Sequence, residues 1–265
     1  MTGPLDPGQL LKRKLRDGQT TFGLWVTLES PSITEIATHL GLDWVCIDAE
    51  HGHLDFKEVV EHLRAAERSS IAALVRVQEI EQGLIKRVLD LGAHGILVPQ
   101  IRNAEEVEQA VRFAKYPPRG IRGIGGERST LWGKALSSAR TANENTLVIP
   151  LLETVDAARN LESIMDVPDV DAFFLGPADF SASAGFPGEW EGPGVAKELL
   201  RIKDCLAARQ RPCGVMAVDA VNGQLRIQQG FRMIGLGSEC SLLIRTVTEM
   251  MAALGHPIDS AAWAR

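Results

Sequence analysis

The sequence predicts an α/β fold, a single (β/α)8 TIM barrel, and three observations carry that expectation. Apolar runs of strand length alternate with amphipathic helical patterns, as in βα units around a parallel sheet. Eight such repeats can be counted. The 265 residues match a barrel of about 250, and no linker or composition shift marks a boundary, so residues 1–265 are expected to form one domain.

The first strand is FGLWVTL (22–28), followed by a helix opening at Ser30-Pro31, an N-cap with proline at the first helical position. DWVCIDAE is the second, followed by a helix in which Asp55 and Glu58 have capping-box spacing and Phe56, Val59, Val60 and Leu63 share a face. The third is AALVRVQ (72–78); Leu84, Val88 and Leu91 line its helix, which stops at Gly92. GILVPQI is the fourth, and Asn103 with Glu106 opens the next helix. The stretch KYPPRGIRGIGGERSTLWGK is too dense in Pro and Gly for regular structure, and loops of that length are usually functional or mobile. Strands five to eight are TLVIPLLE (146–153), VDAFFLGPAD, PCGVMAV and FRMIGLGSE, and CSLLIRTVTEMMAAL closes the ring. A helix near 8–17 precedes the first strand, in a position to plug the barrel bottom.

Hydrophobic content of 45% with 23% charged residues is that of an ordinary globular protein. A formal net charge of −6 without any Lys/Arg run argues against nucleic acid. No apolar segment long enough for a signal peptide or a membrane span occurs, so a cytoplasmic protein with no membrane partner is expected. Cys46, Cys205, Cys213 and Cys240 are widely spaced without a CxxC pair, which reads as buried thiols rather than a zinc site or disulfides.

In a barrel of this kind catalytic groups collect at the C-terminal ends of the strands. There the sequence places Asp48, Glu50 and His51 after strand two, Arg76 in strand three, Pro99-Gln100 after strand four, Glu153 after strand five and Gly176-Pro177-Ala178-Asp179 after strand six. Glu153 and Asp179 end neighbouring strands, so their carboxylates can converge on a hard divalent ion; the other reading is that both merely favour the starts of the following helices. Arg76, flanked by apolar residues in LVRV, either offers a fork to a substrate carboxylate or enolate oxygen or forms an internal salt bridge to Asp48 or Glu50. His51 sits beside carboxylates that can orient its ring and raise its basicity, which makes it a candidate general base. His53 reads as a loop residue, and His39, His62, His94 and His256 fall on helices or turns.

An imine-forming aldolase needs a lysine at a strand end, yet all eight lysines map to helices or loops. GIRGIGG follows Pro117-Pro118 rather than a strand and so lacks the context of a dinucleotide site. IGLGSE at strand eight has the glycines to cradle a phosphate.

Together these motifs resemble a known family, the metal-dependent class II pyruvate aldolases of the HpcH/HpaI type, which share a barrel with citrate lyase beta chains. The matching pieces are GLW near strand one, DWVCIDAEHG, LVRV, LIKRVLDLGAHGILVPQI, YPPRGIRGIGG, LLE and LGPADFSASAGFPG, in order across nearly the whole chain. The resemblance implies retro-aldol cleavage of a 4-hydroxy-2-oxo acid to pyruvate, or hydroxypyruvate, and an aldehyde through a pyruvate enolate, as in the breakdown of aromatic or sugar acids. It implies that Glu153 and Asp179 hold Mg²⁺, Mn²⁺ or Co²⁺, that Arg76 supports the 2-oxo oxygen, and that amides around Ala178 and Asp179 bind the carboxylate. It further implies that His51 takes the substrate hydroxyl proton with Asp48 as its acidic neighbour, that Asp90 reaches an active site across a subunit boundary, and that the protein is a homohexamer (a dimer of trimers) or a homotrimer.

Two positions depart from the family pattern. Leu151 stands where many relatives have glutamine, and Leu131 where many have an arginine before Trp-Gly. Both losses fall near the barrel mouth or the aldehyde portion and leave the substrate range open, including oxaloacetate decarboxylation through the same enolate. The rival expectations are a CoA-thioester lyase of the citrate or malyl type, which needs positive charge for the CoA phosphates, and a catalytically silent barrel serving as a binding or assembly protein.

Overall fold

Strand alternation decides which side chains enter the barrel. The computed structural model describes residues 6–190 and 192–258. In β2 (Trp44–Asp48), Val45 and Ile47 face the surrounding helices, while Trp44 and Cys46 join a separate interior cluster and Asp48 follows them inward at the strand end. β1 (Thr21–Val26), β2, β3 (Ala72–Arg76), β4 (Gly95–Val98), β5 (Leu147–Leu152), β6 (Phe173–Leu175), β7 (Cys213–Met216) and β8 (Met233–Ser238) close in sequence order into one parallel barrel. All eight strands occur where the sequence places them, with ends trimmed by up to a few residues: strand one stops at Val26 instead of residue 28.

Large rings and absent side chains interlock at the centre. The Trp25 ring meets Phe174 at a centroid distance of 5.1 Å and Trp44 edge-on at 6.0 Å. Gly23 makes room for this packing, since a Cβ there would lie 2.0 Å from the Trp44 ring. Below the rings, α1 (Pro7–Arg16), capped by the Asp6 carboxylate, buries Leu11 and Leu15 in the same interior cluster and plugs the bottom as expected.

The outer layer follows with α2 (Ser32–His39), α3 (Phe56–Ala65), α4 (Gln82–Asp90) and α5 (Ala104–Ala114). Asp55 and Glu58 form the expected capping box, and the Asn103 side chain accepts from the Glu106 amide at 2.9 Å. α2 differs from expectation. Pro31 already has helical angles, and the helix opens without a side-chain cap from Ser30, whose carbonyl instead accepts from the Ile33 amide at 3.1 Å.

The long Pro/Gly stretch is irregular apart from short 3-10 turns at Arg128–Thr130 and Leu136–Ser138, and is followed by α6 (Ala139–Asn145), a helix the apolar pattern does not announce because none of its residues is buried. After β5 the chain forms two short helices, α7 (Val155–Arg159) and α8 (Leu161–Asp166), and α9 (Pro177–Ser183) and α10 (Val195–Ala208) follow β6. α11 (Ala220–Gln228) and α12 (Glu239–Ala253) complete the ring. Among the described residues no helix is long and apolar enough to cross a membrane.

Lys115 ties the long stretch to β5. It is 1% exposed at the end of α5, and its Nζ donates to the carbonyls of Asn143 at 2.9 Å and Thr146 at 2.7 Å. Burial, with help from Lys12 and Arg119, pushes its pKa down from 10.5 to about 8. The native state therefore releases this proton near pH 8 and the unfolded chain near 10.5, so between those limits the unfolded chain binds more protons and the contribution of Lys115 to stability rises with pH. Urea unfolding of the wild type and of Lys115→Met should show their stability difference shifting in favour of the wild type by roughly 1–2 kcal/mol from pH 8 to pH 9.5; a flat or falling difference contradicts the assignment.

Candidate active site

The polar groups of the barrel interior gather at one end because three inward positions at strand ends carry charge. Asp48 and Arg76 are register partners across β2 and β3. They are 2% and 8% exposed, and the guanidinium grips the carboxylate with both arms: Nε donates to Oδ1 at 2.8 Å and Nη2 to Oδ2 at 2.6 Å. Nη1 lies 2.7 Å from Glu50 Oε2, a second ion pair. Burial works against the guanidinium charge, but the hydrogen bonds and charge of Asp48, with Cys46 and Glu50, outweigh it and hold the pKa above the ordinary arginine value. Burial raises the pKa of Glu50, while Arg76 and His51 pull it back down.

Asp48 also fixes the turn that follows it, since Oδ1 accepts the backbone amides of Glu50 at 3.1 Å and His51 at 3.3 Å. Asp48 thus reaches His51 through its main chain and gives its carboxylate to Arg76. The His51 ring is exposed just beyond the strand and near Glu50.

Glu153 follows β5 and is 1% exposed. Its Oε1 accepts the Gln100 backbone amide at 2.7 Å and the Gln100 side-chain amide at 3.4 Å. Gln100 supplies both from a left-handed backbone conformation with φ 54°, uncommon for a residue other than glycine. Burial pushes the Glu153 carboxyl up to about 7, reinforced by Asp179 and Glu50 and opposed by the Gln100 amide and Arg76.

Arg76, Glu153 and the turn Gly176-Pro177-Ala178-Asp179 line one cavity of about 500 Å³. Asp179 stands in the first turn of α9, where the early amides have no intrahelical acceptor. Gly176 is required by close approach, because a Cβ there would lie 2.4 Å from Glu153 Oε2.

These residues fit a hard divalent cation. Among the described residues no group of three or more His, Cys, Asp or Glu side chains forms a metal cluster. Glu153, almost dry and with its proton affinity raised further by Asp179, forms together with Asp179 the sparse oxygen set that Mg²⁺ takes along with water and substrate oxygens. Among the described residues no strand contains a lysine.

Asp90 lies elsewhere. It ends α4, at the opposite face of the barrel, and its Oδ1 accepts from Arg122 Nη2 at 2.8 Å. Arg122, from the long irregular stretch, is buried and stacks over the Tyr116 ring at 4.6 Å. An acidic residue at a helix C-terminus is disfavoured by the dipole, and Arg122 is the partner that compensates.

Sequence reasoning passed over several cavity residues. Trp25, Trp190, Thr27 and Arg245 line the same space, and the Gln100 amide orients Glu153. Trp25 was legible as an inward residue of strand one, whereas a positive φ at Gln100 and the fold-back of Trp190 from its loop leave no local pattern. The phosphate-cradle reading of IGLGSE gains no support, since the amides of Ser238 and Ser241 are taken by each other's hydroxyl oxygens in a reciprocal cap.

The family model described as HpcH/HpaI aldolase/citrate lyase matches residues 21–246. A 4-hydroxy-2-oxovalerate aldolase from Novosphingobium aromaticivorans is 36% identical, with 87% of this chain and 88% of the relative covered. A pyruvate aldolase from Rhizobium etli is 35% identical over 93% of this chain and 97% of its own. A crystal structure of an HpcH/HpaI aldolase/citrate lyase family protein from Burkholderia cenocepacia J2315 superposes with a TM-score of 0.89 at 33% identity, covering 93% of this chain and 99% of that one.

Glu153 should be held at a cost to the metal-free protein. Glu153→Gln keeps the oxygen that accepts from Gln100 and removes the repulsion, so metal-free melting should occur at or above the wild-type temperature. Adding Mn²⁺ at about a hundred times its dissociation constant should stabilise the wild type by about 2.7 kcal/mol and leave the variant unmoved; calorimetry with equal metal stabilisation of both proteins contradicts the ligand assignment.

Proposed function

The chain belongs to the HpcH/HpaI aldolase/citrate lyase family, and on that footing we propose that it is a class II pyruvate aldolase, a lyase that reversibly cleaves a 4-hydroxy-2-oxo acid to pyruvate or hydroxypyruvate and an aldehyde. The observation that carries this reading is the single cavity that Arg76, held by Asp48, shares with Glu153 and Asp179. Class II aldolases of this family depend on a divalent metal. Glu153 and Asp179 would hold it, as Mg²⁺, Mn²⁺ or Co²⁺, and once bound it polarises a 2-oxo group and stabilises enolate charge.

The chain's own residues supply the rest. Amides of Ala178 and Asp179, in the turn shaped by Gly176 and Pro177, bind the substrate carboxylate. Arg76 has five N–H bonds; Asp48 takes two and the Glu50 ion pair engages Nη1, so N–H bonds on Nη1 and Nη2 remain for the 2-oxo oxygen as charge develops there. His51 accepts the proton of the C4 hydroxyl as the C3–C4 bond breaks, leaving the aldehyde and the enolate, which is then protonated at C3. Asp48 is a positioning residue that holds both Arg76 and the His51 turn. Asp90, with Arg122, stands at the far end of its own barrel and is suited to serve only the site of a neighbouring subunit.

That last role needs an oligomer, in the reading a hexamer formed as a dimer of trimers, or a trimer. α12 supports association: none of its residues is buried, and Leu243, Ile244, Val247 and Met250 are exposed, a patch of the kind that marks interaction sites. The four free cysteines favour a reducing, cytoplasmic setting, and the whole chain acts as one barrel domain.

Pyruvate in D₂O with Mn²⁺ tests the chemistry without any aldehyde. The wild type should exchange the C3 protons, Arg76→Lys should do so roughly 10²–10³-fold more slowly, and Glu153→Ala should not do so at all; absence of exchange with every metal sinks the reading. Sedimentation should show a species larger than a monomer, dissociating in Val247→Glu; an active monomer removes the cross-subunit role of Asp90.

A further inference from the structure

Resting on the aldolase reading, we infer that the aldehyde half of the substrate is apolar, an aromatic or branched aliphatic aldehyde rather than a hydroxylated one. Once Arg76, Glu153, Asp179 and the Gly176–Asp179 turn are assigned to the 2-oxo acid end, the remaining wall of the 500 Å³ cavity is dominated by Trp25, Leu151, Phe174, Trp190, Met216 and Val218. Leu151 stands two residues before Glu153 on β5, on the same inward face, and is buried. Phe174 is its register partner on β6, and the Trp25 ring meets Phe174 at a tilt. Trp190 reaches the same space from the loop between α9 and α10.

Of the three rim hydroxyls, those of Thr27 and Ser241 already donate within the protein. The Thr27 hydroxyl donates to Glu239 Oε1 at 3.1 Å, the Ser241 hydroxyl to the Ser238 carbonyl at 2.9 Å, and Ser238 Oγ accepts the Ser241 amide at 3.2 Å. Arg245 Nη1 donates to the Val218 carbonyl, and its remaining N–H bonds stay available. A sugar-like aldehyde lying against this wall gives up hydrogen bonds to water that Trp25, Leu151, Phe174, Met216 and Val218 cannot replace, whereas an apolar group replaces only water against carbon. Buried hydroxyls left unpaired are penalised more strongly than an apolar surface rewards each added carbon, so the wall discriminates mainly by rejecting polar chains.

The test couples pyruvate to an equimolar panel of benzaldehyde, isobutyraldehyde, glycolaldehyde, D-glyceraldehyde and succinic semialdehyde with Mn²⁺, and measures kcat/KM beside C3 proton exchange of pyruvate alone. Benzaldehyde or isobutyraldehyde should lead the hydroxylated aldehydes by about tenfold or more. Trp190→Ala should abolish most of that lead through KM, and Trp190→Phe should keep it. Exchange with a preference for glycolaldehyde, glyceraldehyde or succinic semialdehyde overturns the inference and leaves the aldolase reading standing, as does a Trp190→Ala enzyme with the preference intact. Absence of exchange overturns both.

Discussion

The bidentate pair between Arg76 and Asp48 is the constraint on which the rest of the site depends. The two residues face each other across adjacent strands in register, so the barrel backbone itself sets their separation. A buried guanidinium with one partner removed costs about 3–5 kcal/mol, and this one is gripped by two arms and approached by Glu50 as well. Its charge is therefore permanent and its aim fixed before any substrate arrives. Asp48 adds a second duty by holding the amides of Glu50 and His51. One carboxylate thus positions both the fixed cation and the residue proposed as base, on two different strands.

Glu153 represents the opposite electrostatic solution. Its neighbours within the chain include two carboxylates that disfavour its charge and only a distant share of Arg76, whose arms are committed elsewhere. Burial in that setting pushes its carboxyl up to about 7, so it gives up its proton readily beside a divalent ion. The Gln100 amide, offered from a strained backbone, keeps the carboxylate aimed into the cavity whichever protonation state it adopts. Such strain collects at functional sites, where the surrounding structure over-determines it.

Much of this was legible in the sequence because it is periodic. The inward set Trp44, Cys46 and Asp48, and the pair Leu74 and Arg76, follow from alternation on strands whose ends can be located, and the rim position of Glu153 and the GPAD turn follows in the same way. The two readings of Arg76 prove compatible: it does form the internal salt bridge, to Asp48 and Glu50 both, and it still lines the cavity. What the sequence hides are features without a period. Gln100 acts through its main chain, α6 has no apolar face to announce it, and the partner of Asp90 sits in a stretch whose path depends on where Lys115 and Arg122 are buried.

The division of labour between strands and loops bears on what can vary. Groups proposed for the 2-oxo acid end stand on β3, at the end of β5 and in the turn after β6, where a shift of one residue would turn each side chain to the wrong layer. The aldehyde wall is assembled differently, partly from inward residues such as Leu151 and Phe174 whose polarity can change without moving the backbone, and partly from Trp190 on a connection outside the barrel. A polar replacement at Leu151 would lie beneath Glu153 and alter the dryness that raises its proton affinity, so the apolar floor serves two ends at once. It shapes the space left for the aldehyde, and it keeps the carboxylate in a setting where a cation is its most effective partner.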